Sequence, residues 1–310
     1  MQHTGEIIAL LVAISWTITA LLSEAGVRRL GSLQMNVLRM AMAIAFLSVT
    51  LLIITGSPFP LMASANTWMW MALSGLAGYV FGDYCLFNSY AIIGSRFGQL
   101  FMTLSPLAAA LCGWIFLGET LSLQSILGIF ITVLGISLSI LKKTDTESTS
   151  HIKLPLRGVL YGIGAGVGQG LGLTLSKIGM IYYEADIPAD AECVRTAIPY
   201  AATLMRALIG IAGFIILLFF MNGWEKLKAD IHDGKGIGIA ILATIFGPFL
   251  GVSMSLMSVQ YADAGIAATL MALTPVFIIL PSWLFFKQKI TTLEVVGATI
   301  SVIGVALFFI

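Results

Sequence analysis

Charged side chains are scarce in this sequence. Only 10% of its 310 residues are Asp, Glu, Lys or Arg, whereas 58% are hydrophobic, and the mean hydropathy is +0.99. Soluble proteins carry about 25% charged residues, so this chain lacks the polar groups needed to cover a water-exposed surface. The formal net charge of +1 provides no basic face for neutralising phosphates. The composition therefore predicts a membrane protein with no nucleic-acid partner.

Residues that commonly build catalytic and metal sites are also scarce. The three cysteines are too few for a disulfide framework, and Cys85 and Cys112 are interpreted as small buried hydrophobic residues. Asp83 is the only Asp within a predicted span, which excludes a pair of catalytic aspartates. No P-loop and no His/Cys cluster occurs. The histidines lie in loops or termini, away from any membrane serine: His3, His151 and His232. We predict a non-enzymatic protein without cofactor or metal.

Long apolar segments dominate what is present. A spanning helix needs about 20 mostly apolar residues, and ten segments satisfy this. The polar segment 142–156 divides them into two predicted domains, 1–141 and 157–310. No basic segment precedes Ile7, so the first span is predicted to be uncleaved. The ten predicted spans are 6–25, 33–55, 67–90, 96–117, 123–141, 157–178, 199–221, 236–259, 264–286 and 292–310.

The sequence contains an internal duplication. Residues 98–141 recur at 267–310 without a gap, at an offset of 169 (275 − 106). Repeats of this kind identify the structural unit of a chain. Because each half has five spans, the two copies must cross the bilayer in opposite directions. The equivalent pairs include Gly82/Gly251, Pro106/Pro275, Trp114/Trp283, Gly128/Gly297 and Gly135/Gly304, and Arg39/Arg206 correspond at an offset of 167 (206 − 39).

The distribution of basic residues in the loops supports this inversion. The loops after odd-numbered spans hold twelve basic residues, whereas the opposite side holds Arg195 alone. The positive-inside rule places the twelve in the cytoplasm and both termini outside. We therefore predict a multi-pass protein of the inner (cell) membrane. The twelve are Arg28, Arg29, Arg96, Lys142, Lys143, Lys153, Arg157, Lys226, Lys228, Lys235, Lys287 and Lys289.

Several short motifs resemble the EamA family of the drug/metabolite transporter superfamily. They are Ser105-Pro106, the segment Leu117-Gly118-Glu119-Thr120-Leu121-Ser122, Gly128 and Gly135. The second copy repeats Thr274-Pro275, Gly297 and Gly304, but has Lys287-Gln288 in place of Gly118-Glu119. The resemblance implies an all-α polytopic membrane protein with ten transmembrane helices, arranged as two inverted five-helix repeats around a central cavity. It also implies a secondary transporter or exporter of small metabolites.

Ionisable residues within the spans are the first candidates for the transport site, since they are costly in lipid. Arg39 and Arg206 are predicted either to be structural or to reach the headgroups, or else to line the pathway. Asp83 is predicted either to carry a coupling proton, or to be bonded to Tyr or Asn neighbours or to face an aqueous inner vestibule. Glu24 and Lys177 lie at helix ends and are expected to be interfacial, with a Glu24–Arg39 pair as a local alternative. Lys177 and Arg206 together would suit a substrate carboxylate.

Helix-breaking residues indicate where a cavity could lie. Pro106, Pro248 and Pro275 interrupt their spans, and matched breaks in two halves point to a binding site. We expect Trp16, Tyr84 and Gln99 to line it. Span 6 carries a Gly at every second position from 162 to 172. This pattern predicts either close packing on two faces or a helix that bends and exposes Gln169.

The sequence thus predicts a carrier of small polar metabolites, such as amino acids, working by alternating access. Its predicted partners are a small solute, a coupling proton and the lipid bilayer. A flippase of a lipid-linked substrate is the alternative within transport. A channel would need a continuous polar stripe, and the predicted spans offer few aligned polar residues.

Overall fold

The computed structural model describes residues 4–117, 122–140, 154–261, 270–287 and 290–309, and every element in these ranges is helical. Glu119, Gln288 and most of the predicted linker lie outside the described residues. Span 1 is α1 (Thr4–Leu30) and span 2 is α2 (Ser32–Thr55). Span 3 comprises α3 (Ala65–Gly75), a π-helical segment (Leu76–Asp83) and the start of α4 (Tyr84–Phe101). Span 4 comprises the rest of α4 and α5 (Leu104–Leu117), and span 5 is α6 (Leu123–Ile140).

The second half follows the same order. Span 6 is α7 (Leu156–Asp186), and a short α8 (Glu192–Thr196) leads to span 7, which is α9 (Ile198–Phe220). After α10 (Trp224–Asp230), span 8 comprises α11 (Gly234–Thr244), a second π-helical segment (Ile245–Val252) and α12 (Ser253–Tyr261). Span 9 contains α13 (Thr274–Phe277) and α14 (Ile279–Phe286), and span 10 is α15 (Thr292–Phe309).

Span 6 is longer than predicted. The sequence prediction ended it at Ile178, but the helix continues to Asp186. Gly179, taken as the start of a loop, is instead a helical residue where Met71 approaches closely: a Cβ at Gly179 would lie 2.9 Å from the Met71 methyl. Tyr183 follows one turn later with 1% of its surface exposed. Packing against span 3 therefore stabilises the additional turns.

Single glycines connect two of the helix pairs. Gly31 lies between spans 1 and 2, and Gly94 separates span 3 from span 4 within α4. Their φ angles are 89° and 84°, a region that residues with a Cβ rarely adopt. Each glycine therefore lets one helix end and the next begin within a single residue, so neighbouring spans stay close at this end.

Spans 5 and 10 pack against each other in opposite directions. Ser139 Oγ donates a hydrogen bond to the carbonyl of Glu294 at 3.2 Å, near the end of span 5 and the start of span 10. Gly135 faces Ser301, and its repeat equivalent Gly304 faces Thr132, the equivalent of Ser301. Contacts exchanged reciprocally between equivalent residues define a two-fold relationship. Spans 5 and 10 are therefore antiparallel equivalents, which confirms the inverted repeat.

The remaining spans exchange partners between the two halves. Span 1 packs against spans 8 and 9, which we call bundle A, and span 6 packs against spans 3 and 4, which we call bundle B. Each bundle thus takes one helix from one repeat and two from the other. Span 2 packs against span 7 between the bundles. Because each bundle contains helices of both repeats, neither repeat forms a separate compact unit.

The glycine-rich face of span 6 explains its close contact with two neighbours. Gly162, Gly166 and Gly170 meet span 4, at Phe101, Leu104 and Ala108, whereas Gly164, Gly168 and Gly172 meet span 3, at Cys85, Gly82 and Gly78. A Cβ at Gly168 would lie 2.8 Å from the Cα of Gly82. Of the two alternatives raised by the sequence, the structure shows close packing on both faces.

Candidate functional site

The two π-helical segments occupy equivalent positions. The first runs from Leu76 to Asp83 and the second from Ile245 to Val252, and both ends correspond at the repeat offset of 169. Pro248 lies within the second segment, buried, where it lacks the N–H that a regular helix needs. Its equivalent is Tyr79, so proline alone does not cause the wide turn. π-helical turns occur frequently at functional sites.

Trp16 and Gln169, both predicted as site residues, are structural equivalents. The offset of 153 that relates Gly26 to Gly179 also relates Trp16 to Gln169 (169 − 16). Gln169 lies against Gly82, where a Cβ would be 3.2 Å from its Nε2, and Trp16 lies against Gly251, at 2.8 Å from its Nε1. Trp16 on span 1 and Gln169 on span 6 therefore each pack against a glycine near the end of a π-helical segment, where no Cβ blocks them.

Arg39 and Arg206 each reach across to the π-helical segment of the other half. A Cβ at Gly78 would lie 2.7 Å from Arg206 Nη2, and one at Gly247 would lie 3.3 Å from Arg39 Nη2. Gly78 and Gly247 are equivalents, so these contacts obey the two-fold relationship. The arginines are 5% and 3% exposed. They are therefore buried at the centre, and the alternative in which they reach the headgroups is not observed.

Asp83 is held by residues from spans 2 and 6. Gln169 Nε2 donates to Asp83 Oδ1 at 2.7 Å, and Arg39 Nη1 lies 3.5 Å from Asp83 Oδ2. Asp83 is 5% exposed. The Arg39 guanidinium also lies over the ring of Phe87, at 4.5 Å from its centroid. Burying a charge is costly unless it is paired and hydrogen-bonded, and both conditions are met for Asp83.

Arg206 has no such carboxylate among the described residues. Its guanidinium lies over the ring of Tyr79, at 4.7 Å from the centroid. Neither Arg206 Nε nor the buried Tyr79 hydroxyl has a hydrogen-bond partner in the described part of the chain. The position equivalent to Asp83 is Val252. Both halves thus contain the arginine, but only the first half contains the carboxylate, Asp83.

Neither the interfacial position predicted for Glu24 nor its alternative pairing with Arg39 is observed. Glu24 is fully buried and accepts the backbone N–H of Ser95 at 2.7 Å, and its other oxygen accepts from Arg28 at 2.5 Å. Arg39 instead faces Asp83. Lys177, predicted to join Arg206, is exposed. The predicted cationic pair therefore reduces to the buried Arg206 alone.

The contacts of Tyr84 and Gln99 are made with residues other than the two arginines. Tyr84 packs edge-on against Tyr161 with ring centroids 6.2 Å apart, and its hydroxyl lies 4.0 Å from the Met221 sulfur. Gln99 is buried and donates to the Tyr90 hydroxyl at 2.6 Å. The structure therefore brings together Arg39, Asp83, Gln169 and Arg206, with Trp16 at the equivalent position in the other half.

The helices containing Pro106 and Pro275 are interrupted at matching places. A turn at Met102 and Thr103 precedes Pro106, and a turn at 272–273 precedes Pro275. Proline lacks the N–H that would bond to the preceding turn. Pro106 is half-buried in span 4, whereas Pro275 lines a small pocket with Arg96 and Glu294.

Three residues of the centre are missing from the sequence prediction. Tyr79 and Phe87 precede and follow Asp83 by four residues, and Asn36 precedes Arg39 by three. Residues three or four apart share one face of a helix. Asn36 Oδ1 accepts from Arg39 at 3.5 Å. Helical spacing from each charged residue would have identified all three neighbours.

Polar contacts close the end of the molecule that carries most of the basic residues, which we call the basic end. Arg96 Nη1 lies 3.2 Å from Glu294 Oε2, so span 4 is tied to span 10. Glu24 ties span 1 to span 4 through Ser95. We call Glu24, Ser95, Arg96 and Glu294 the latch, because they join bundle A and span 10 to bundle B.

A second ion pair lies at the same end. Arg29, in the last turn of span 1, pairs with Asp233 at the start of span 8. The hydrogen bond from Arg29 lowers the pKa of Asp233 below its usual value. Asp233 therefore stays ionised, and the pair stays formed, throughout the neutral pH range. This pair holds bundle A together at the basic end.

The opposite end has a counterpart in which a carboxylate accepts hydrogen bonds from neutral donors. Asp186, at the end of span 6, accepts the backbone N–H of Ser64 at 2.9 Å and the hydroxyl of Thr67 at 2.6 Å. Ser64 precedes span 3 as Asp233 precedes span 8, at the same offset of 169 (233 − 64). The contact between helix ends is therefore equivalent in both bundles, but its chemistry differs.

Comparison with known proteins is consistent with this architecture. The model of the EamA-like transporter family matches residues 3–141 and 156–310. A solved structure titled only "Crystal structure of protein" aligns with a TM-score of 0.60 and 14% identity, covering 99% of this chain and 96% of its own. At that identity the likeness shows the fold alone. Comparison with curated proteins found no match.

Five helices in the described residues are long and apolar enough by themselves to cross a membrane: Thr4–Leu30, Ser32–Thr55, Leu156–Asp186, Ile198–Phe220 and Gly234–Ser258. Shorter apolar helices accompany them at Ile126–Ser139, Thr274–Phe286 and Thr292–Leu307. The family match covers both inverted halves, and this family consists of transporters rather than enzymes. The chain belongs to the EamA-like transporter family and is a multi-pass membrane transporter of the drug/metabolite transporter type.

Proposed function

We propose that this protein is a secondary active transporter that exports small polar metabolites, such as amino acids, by alternating access. The observation that carries the proposal is the cluster of the buried Arg39, Asp83 and Arg206 with the half-buried Gln169. It lies at two equivalent π-helical segments, where the halves meet. Ionisable groups in this setting are costly. Their retention at the two-fold centre supports a role in solute or proton movement.

Asp83 is proposed to carry the coupling proton. Its carboxylate is held by Gln169 and Arg39, so protonation would weaken both contacts and free Arg39. A change in charge at one residue would thereby alter contacts between span 2, span 3 and span 6. Coupling requires such a difference in interaction between two states. Export and an inner-membrane location are parts of the proposal; the family resemblance supports the first and the positive-inside pattern of the loops supports the second.

The test is flux in proteoliposomes containing the full-length protein. A pH gradient is imposed, and movement of a panel of labelled amino acids and amines is followed. We expect Asp83→Asn to abolish pH-driven flux, because the amide cannot release a proton at this position, while the protein remains inserted and folded. Asp190→Asn, which alters an exposed loop carboxylate, serves as the control and is expected to retain flux.

Unchanged pH-driven flux in the Asp83→Asn protein would refute the proton-carrying role. Concentrative flux that an uncoupler abolishes indicates a carrier, whereas flux that only follows the solute gradient indicates a channel. Translocation of a labelled lipid without solute flux would support the flippase alternative, in which the cluster would bind a headgroup.

A further inference from the structure

We infer that Arg206 and Tyr79 form the anion-binding half of the transport site, and that the transported solute carries a carboxylate. The inference rests on the proposed transport function and names the chemical class of its substrate. It starts from the environment of Arg206, which is 3% exposed and lies on span 7 at the two-fold centre.

Arg206 is a buried cation that forms no ion pair with a carboxylate of the described residues, whereas Arg39 pairs with Asp83. Its Nε and the Tyr79 hydroxyl both lack hydrogen-bond partners there, although both atoms are buried. Native proteins leave few buried polar groups unpaired. Both groups can donate hydrogen bonds. Neither of them carries the negative charge that would balance the Arg206 guanidinium. Arg39 Nε is also unpaired, but Arg39 has the Asp83 carboxylate nearby, whereas Arg206 lies over the Tyr79 ring. Arg206 together with the Tyr79 hydroxyl therefore offers donors to a carboxylate, which accepts several hydrogen bonds.

The internal repeat provides an independent argument. Arg39 and Arg206 occupy equivalent pockets, each against the equivalent glycine of the opposite π-helical segment. In the first half, Arg39 faces Asp83 at 3.5 Å. In the second half, the equivalent of Asp83 is Val252. The protein therefore contains one arginine pocket with a built-in carboxylate and a second pocket from which that carboxylate is missing.

The charge at the centre supports the same conclusion. Among the described residues of the centre, Arg39 and Arg206 contribute two positive charges and Asp83 one negative charge, which leaves one positive charge without a matching negative charge. A bound carboxylate would neutralise it. An arginine is suited to this role because its planar guanidinium matches a carboxylate in a two-bond arrangement. A solute with an amide or amine at that position would leave Arg206 unpaired.

Acetate and acetamide provide the matched probes, since they share a shape and differ in charge. The unfolding midpoint of the purified full-length protein in detergent is measured while each is titrated, with sodium chloride added as the ionic-strength control. Ligands that bind the folded state raise the midpoint in proportion to occupancy. We expect a saturable rise with acetate that acetamide and chloride do not produce.

Variants separate the binding role from a structural one. Arg206→Gln is expected to weaken acetate binding by about 30-fold or more, because a hydrogen-bonded charge pair loses one partner. Arg206→Lys keeps the charge and is expected to retain part of the response. Lys177→Gln removes an exposed positive charge from the same half and is expected to keep the full response.

Val252→Asp tests the inference without removing the arginine. The introduced carboxylate occupies the position that Asp83 holds in the first half, so it is expected to pair with Arg206 and abolish the acetate response. In the Arg206→Gln/Val252→Asp double variant, the introduced carboxylate has no cation to pair with. We therefore expect the unfolding midpoint of this variant to be lower. A Val252→Asp protein that still responds to acetate would overturn the inference, as would a wild-type protein with no preference for acetate over acetamide.

These results are distinguishable from failure of the transport proposal. Acetate binding that depends on Arg206, without pH-driven flux, would leave the anion site intact and refute secondary transport. Flux of amines without any response to carboxylates would support transport and refute the anion site.

Discussion

At the scale of single residues, Glu24 shows how one buried carboxylate can link two bundles. It is fully buried on span 1, yet it accepts the Ser95 N–H immediately after the turn at Gly94. Since Gly94 ends the helical hydrogen bonding of span 3, the first N–H groups of span 4 need an external acceptor. Glu24 supplies one acceptor and joins bundle A to bundle B.

We predict that Glu24→Ala lowers the free energy of unfolding by about 1–3 kcal/mol, because the Ser95 N–H loses its acceptor while it stays buried. Glu24→Gln keeps an acceptor oxygen and should cost less. Thermal unfolding of the purified protein measures both changes. Glu225→Ala, at a side chain that is 88% exposed, should be almost neutral. Equal losses in Glu24→Ala and Glu225→Ala would contradict this role.

The difference between Asp83 and Val252 is the other decisive feature at this scale. Neighbouring glycines and arginines repeat between halves, so one substitution makes the two pockets chemically different. A symmetric pair of arginines with two carboxylates would be fully paired and would have no need of a solute. The present arrangement leaves a place for one anion. The residue-level asymmetry, rather than the repeat itself, therefore carries the functional proposal.

At the scale of elements, the contact between spans 5 and 10 depends on glycine. A Cβ at Gly304 would lie 2.5 Å from the Thr132 backbone nitrogen, and its equivalent Gly135 meets Ser301 in the same way. Small residues let membrane helices approach closely enough for backbone contact. These two helices therefore pack through close backbone contacts at the glycines. The reciprocal contacts require the helices to be antiparallel.

We predict that Gly304→Ala destabilises the protein even though alanine favours helices. Helix propensity favours Ala over Gly by about 1 kcal/mol, whereas overpacking costs about 1–3 kcal/mol. Backbone atoms cannot move aside as a side chain can, so the cost should prevail. The unfolding midpoint measures the effect. Gly238→Ala, where no atom lies within 4 Å of the added Cβ, should be neutral or stabilising. A stabilised Gly304→Ala protein would contradict the close contact.

Much of the element-level architecture was predictable from the sequence. The gapless repeat fixed the equivalence of spans 5 and 10, and the odd number of spans per half required inversion. The extension of span 6 past Gly179 was not predictable, because it depends on packing against Met71. The pairing of Arg39 with Asp83 rather than Glu24 was also missed. Sequence proximity favoured Glu24, but burial beside Ser95 directs Glu24 elsewhere.

At the scale of the whole molecule, the exchange of helices between repeats couples the bundles to one charged centre. Bundles A and B each contain helices of both halves, and spans 2 and 7 carry the arginines between them. Movement of one bundle relative to the other would therefore change the surroundings of Arg39 and Arg206 together. The latch closes the basic end in this structure.

Alternating access requires the bundles to move against each other, so that one end opens while the other closes. In a protein whose cysteines (Cys85, Cys112 and Cys193) are replaced, spin labels at Leu156 and Lys235 report the basic end. Labels at Ile7 and Glu184 report the opposite end. All four positions are exposed. Distances between labels are measured by pulsed electron paramagnetic resonance, with the latch intact and in the Glu24→Ala/Glu294→Gln protein.

The double variant removes the acceptor of the Ser95 N–H and the negative charge that attracts Arg96, so it weakens the contacts that hold the basic end closed. We therefore predict that the 156–235 distance distribution shifts to longer values while the 7–184 distribution shifts to shorter values. Partial unfolding would lengthen both distances, and a rigid molecule would change neither. Opposite shifts at the two ends support alternating access, whereas parallel shifts or unchanged distances would contradict it.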